Sequence, residues 1–151
     1  MSRRLNAALV VAACAVLLPG CGKRGETPED RAAFGGVDAV VGQLNSFTAE
    51  LTGAVESTPD TSAGVSAAQK LLDSRKAELA AGIAALKGDA KFRQDAAAKR
   101  KWLEAEVDDT QRVSQLRVKY ADASLRDPAF KARLDKLVAD YDAMFRDSAE
   151  H

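Results

Sequence analysis

The chain has 151 residues, with 22 Lys or Arg balanced by 22 Asp or Glu, one His and two Cys. That neutrality leaves no basic stripe of the kind that gathers nucleic acid, and no polybasic run to hold anionic lipid. One His and two Cys do not make a zinc set, so neither a metal nor a cofactor is expected.

The N-terminus reads Met1-Ser2-Arg3-Arg4, followed by an apolar run from Leu5 to Leu18 that only Asn6 interrupts. Cations resist translocation, while the apolar run enters the membrane as a short helix. A run of about 14 residues is too short to span a bilayer core that needs about 20. Its length and flanks therefore predict a secretion signal over residues 1–20 rather than a permanent anchor.

The run exits through Leu18-Pro19-Gly20-Cys21-Gly22. A branched residue, a tolerant position, a small residue and then Cys resemble the lipobox of bacterial lipoproteins, with Leu18, Gly20 and Cys21 at its strictest places. The resemblance implies that Cys21 receives a diacylglyceryl thioether and that the chain is cleaved before it. It also implies a cell-envelope location. Gly22, where a retained lipoprotein has Asp, implies the outer membrane facing the periplasm in a two-membrane organism. The motif assigns a processing class and no family for the rest of the chain.

Loss of Arg3 and Arg4 with the signal moves the charge balance to two net negative. Cys14 leaves with the signal and Cys21 is consumed by lipid. The remaining domain has no disulfide and must be held by packing alone. Residues 21–35, polar and containing Gly and Pro, read as the lipidated Cys and a flexible tether, with Gly35-Gly36 breaking any early helical turn.

A helical domain is expected over 36–149. The apolar positions Val37, Val41, Leu44, Thr48, Leu51 and Val55 alternate steps of four and three, one side of a helix. Residues 57–62 end it, and Thr61 or Ser62 can cap the next. The second stripe is Val65, Ala68, Leu72, Leu79, Ile83 and Leu86, closed by Lys87-Gly88. Asp89 caps a third helix expected to run unbroken to about Ser124. Its stripe is read as Phe92, Ala96, Leu103, Val107, Thr110, Val113, Leu116 or Arg117, and Tyr120. Asp127 as N-cap and Pro128 at the first helical position start the fourth, with Phe130, Leu134, Leu137, Val138, Tyr141, Met144 and Phe145 on its face. The expected fold is all-α: a four-helix up-down bundle or elongated helical hairpins. The heptad-like spacing also permits pairing between chains, so the oligomeric state stays open.

Chemistry is sparse. His151 is the only His and Cys21 the only Cys past the signal, so no nucleophile–base constellation is expected. The outline is similar to the four-helix periplasmic cytochromes, but no Cys-x-x-Cys-His is present and haem is not expected. Glu104, Glu106, Asp108 and Asp109 read as a solvated charged face. Trp102 reads as a core-edge aromatic, with an exposed partner anchor as the other reading. The expectation is a non-enzymatic envelope lipoprotein, held to the membrane by its lipid, that binds an envelope protein or plays a structural role. The alternative is a periplasmic carrier of a small apolar ligand between helices three and four.

Overall fold

A computed structural model of the chain describes residues 28–147, with side chains from 36 to 146. Every element among them is a helix: α1 Pro28–Glu56, α2 Thr61–Gly88, α3 Ala90–Gln94, α4 Ala96–Lys119, α5 Ala121–Arg126 and α6 Pro128–Asp147. The all-α class expected from the sequence is the class observed.

The four long helices pack in a ring. α1 lies against α2 and α4, and α6 closes the ring against the same two. Side-chain pairs set the directions. Asp38 meets Lys101 and Glu56 meets Lys119, so α1 and α4 run parallel. Trp102 meets Phe145 and Arg117 meets Asp135, so α4 and α6 run antiparallel. The consecutive long helices α2 and α4 are not neighbours but sit across a diagonal. The five-residue α3 carries the chain across the end of the bundle, touching α1, α2 and α4.

Aspartates place most helix starts. The Asp60 carboxylate accepts from the N–H of Ser62 and Ala63, so Asp60, not Thr61 or Ser62, caps α2. Asp89 and Asp127 cap α3 and α6 as expected. Each such cap satisfies amide donors that the helix itself leaves orphaned.

The third predicted helix is not continuous. Asp95 accepts from the N–H of Ala97 and Ala98, turning the chain between α3 and α4. A second break falls at Tyr120, where neither Gly nor Pro dictates one. There the phenol reaches the Val55 carbonyl at 3.5 Å and the ring meets Phe130 edge-on. The first helix also differs from expectation. It starts at Pro28 and passes through Gly35 and Gly36. Pro28 suits the first helical position, where its missing N–H leaves no helix bond unmade. Interior glycines cost about 1 kcal/mol each relative to Ala but break no backbone bond.

The predicted stripes of α1, α2 and α6 are buried throughout. Gly64 sets how closely α1 and α2 approach at their shared turn. A Cβ there would sit 2.9 Å from the Val55 carbonyl oxygen and 3.1 Å from its Cα. Both are backbone atoms, so relief requires moving a helix. Gly→Ala inside a helix ordinarily stabilises by about 1 kcal/mol. Gly64→Ala is expected to reverse that sign and destabilise by about 1–3 kcal/mol. Thermal or urea unfolding reads it, and an unchanged or raised midpoint would show that the two helices are not in contact there.

Candidate functional site

The lipobox residues Leu18, Gly20 and Cys21 lie outside the described residues. Among the described residues no helix is long and apolar enough to cross a membrane. No group of three acidic, His or Cys side chains among them is placed to hold a metal ion.

The most unusual element is α4, which carries apolar residues on two faces. Its buried face is Ala98, Trp102, Ala105, Asp109, Val113 and Leu116. The stripe read from the sequence is largely the other one. Leu103, Val107 and Val118 are 59%, 53% and 79% exposed, and Ala96 is exposed too. At 100° per residue the two faces lie roughly 140° apart. The sequence reading followed the large aliphatic side chains. The core took two small alanines, a tryptophan and an acid.

That acid is Asp109, whose side chain is fully buried and whose two oxygens have no hydrogen-bond partner. Of the acidic run, Glu104 and Asp108 are exposed and Glu106 is half-buried. The solvated reading thus fails for Asp109 alone, which faces inward on the turn below Val113. Arg112 is its nearest cation, with Nη1 at 3.6 Å from Oδ1. Burial raises the Asp109 pKa above the usual carboxylate value. The Arg112 guanidinium opposes that rise, and Asp108 adds to it.

Thr48 brings the opposite side of the cluster. Its hydroxyl donates to the Leu44 carbonyl at 2.9 Å and lies 2.5 Å from the Tyr141 oxygen. A threonine has one proton to give, so the Tyr141 O–H supplies the second bond. This joins α1 to α6 across the diagonal of the bundle. Burial raises the Tyr141 pKa, so the phenol stays protonated as that donor. Thr48, Asp109 and Tyr141 thus form a polar island contributed by α1, α4 and α6. Nothing in their spacing along the chain signals it. The available clue was an acid on the same helical face as Trp102 and Val113.

Aromatic rings fill the space around the island. Phe47 stacks on Tyr141 at 6.4 Å, Tyr141 meets Phe145 at 5.5 Å, and Phe145 meets Trp102 at 6.2 Å. Trp102 is buried, with the Lys87 ammonium 5.8 Å from its ring centroid. It belongs to the core and is not an exposed anchor. Where an apolar ligand between α4 and α6 would lie, these rings pack on one another. Two clefts lie nearer the surface. One of about 240 Å³ between α1 and α4 has Thr52, Glu56, Arg112 and Lys119 in its walls. One of about 230 Å³ between α2 and α6 is lined by Val65, Ser66, Gln69, Lys70, Arg133 and Lys136. Comparison with protein families, curated proteins and solved structures finds no match to this chain.

The polar island has a measurable signature. A carboxyl with a raised folded pKa favours folding when protonated. Its contribution is therefore present below the ordinary value of 3.8 and is lost as pH rises through the folded value. Asp135 and Asp140 carry lowered values, through Lys131 and Lys136 first, and act in the opposite direction. The clean observable is then the difference between wild type and Asp109→Asn, which holds the neutral form at every pH. The variant is expected to be more stable by about 1–3 kcal/mol at pH 7, with the gain shrinking toward pH 4. A gain that does not vary with pH, or a loss at pH 7, would show that Asp109 is not held against its charge.

Proposed function

We propose that this chain is a lipid-anchored protein of the cell envelope whose helical domain works by docking another protein chain, without catalysis. The observation that carries the docking reading is the outward face of α4, where Leu103, Val107 and Val118 meet solvent while the opposite face fills the core. Isolated exposed aliphatics are ordinary on a protein surface. Three in register along one helix match the spacing by which helices recognise helices. The anchor rests on Leu18, Gly20 and Cys21. In a two-membrane organism, Gly22 favours the outer membrane facing the periplasm.

Metabolic labelling with palmitate tests the anchor. The full chain is expected to take up label, to accumulate as an uncleaved precursor under globomycin, and to lose all label as Cys21→Ser. Wild-type chain without label would overturn the lipoprotein reading. For docking, a photo-crosslinking amino acid at Val107 in cells is expected to give a discrete adduct that Leu103→Glu abolishes. A chain that stays free and monomeric would overturn it.

A further inference from the structure

We propose that the end of the bundle crossed by α3 rests on anionic phospholipid headgroups of the membrane that the lipid on Cys21 enters. This rests on the lipoprotein reading above and adds a second contact to the anchor. Three observations point to it.

The first is charge. Residues 87–101 hold six cations and two acids. Both acids, Asp89 and Asp95, are engaged as the N-caps of α3 and α4. Lys87 turns inward, with its ammonium donating to the Phe145 carbonyl at 3.2 Å. Lys91, Arg93, Lys99, Arg100 and Lys101 are exposed. Lys101 pairs with Asp38, and among the described residues the other four form no ion pair. The sequence has no long polybasic run; the turn at Asp95 brings the cations of α3 beside those that open α4.

The second is the contrast with the opposite end. There Lys119 pairs with Glu56, Arg117 and Lys131 with Asp135, and Arg133 with Asp127. Cations at that end are largely balanced by partners, while those around α3 face water.

The third is where the tether arrives. The Asp38–Lys101 pair and the contact of α3 with α1 put the first part of α1 at the basic end. Pro28 starts α1 seven residues after Cys21. Seven residues reach at most about 25 Å. The opposite end lies about 36 Å farther along α4. An anchor at Cys21 therefore holds the basic end nearer the bilayer, at a high effective concentration of headgroups. Residues 22–31 carry three cations and three acids and add no net charge, so the attraction comes from the bundle. Each exposed cation near an anionic surface adds a modest attraction that fades within a Debye length. Resting on this end leaves the outward sides of the helices clear of lipid.

Photo-crosslinking of the full chain in cells decides it. A photo-reactive residue at Gln94, exposed at the end of α3, is expected to give an adduct with the added mass of a phospholipid. The same probe at Leu125, at the opposite end, is expected to give none. Reversing Lys91, Arg93, Lys99 and Arg100 to Glu should cut the Gln94 lipid adduct by about tenfold and leave the circular dichroism unchanged, while Arg at both lysines should keep the adduct. The purified lipidated chain should form it in vesicles of equal phosphatidylcholine and phosphatidylglycerol. In phosphatidylcholine alone, or at high salt, it should not. Equal adduct in the reversed chain or in phosphatidylcholine would show proximity through the tether only and overturn the proposal. A protein or peptidoglycan adduct in place of lipid would overturn it too. Palmitate label without a lipid adduct would overturn this contact and leave the anchor standing. Absence of label would overturn both.

Discussion

α4 has two apolar faces and can turn only one of them to the bundle. The face it buries brings Trp102, whose ring system offers roughly 200 Å² of surface to bury. It also brings Ala98 and Ala105, which let α4 lie close to its neighbours. Trp102 joins a row of rings running through Phe145 and Tyr141 to Phe47, so its position is tied to α6 and α1 as well. Rotating α4 to bury Leu103 and Val107 instead would pull Trp102 out of that row. The buried acid and the outward aliphatic face both follow from this choice of rotation.

One consequence is the buried acid. Asp109 shares the helical face of Trp102, Ala105 and Val113, so packing that face carries a carboxyl into the core. A buried carboxylate is costly: burial raises the Asp109 pKa, and the Arg112 guanidinium 3.6 Å away offsets part of that rise. The Thr48–Tyr141 bond lies beside it, closing the bundle across its diagonal with a contact that only two correctly placed helices can make. Buried polar contacts of this kind constrain how helices are arranged more sharply than aliphatic packing does.

The other consequence is the surface. The face left outside keeps exposed aliphatic side chains at helical spacing, Leu103, Val107 and Val118. Under the proposed lipoprotein reading, a tether through Cys21 would present that face at a membrane surface.

Much of the fold was legible in the sequence because it depends on local rules. The periods of α1, α2 and α6 named buried faces that the structure contains, and Asp89 and Asp127 announced their helix starts. A capping aspartate acts within three residues, and an amphipathic stripe is a property of one helix. The break at Asp95 obeyed the same local rule and was hidden only by the strong helix formers around it. The passage of α1 through Gly35 and Gly36 was hidden by the opposite signal, two helix-weakening residues that the helix nonetheless absorbs. Three matters were decided only by tertiary structure: which face of α4 turns inward, the diagonal placement of α2 and α4, and the meeting of Thr48, Asp109 and Tyr141. Each depends on what a helix packs against, and for α4 two faces of similar hydrophobicity gave no local reason to prefer one. Its rotation was settled by a tryptophan fitting between helices that are distant in the chain.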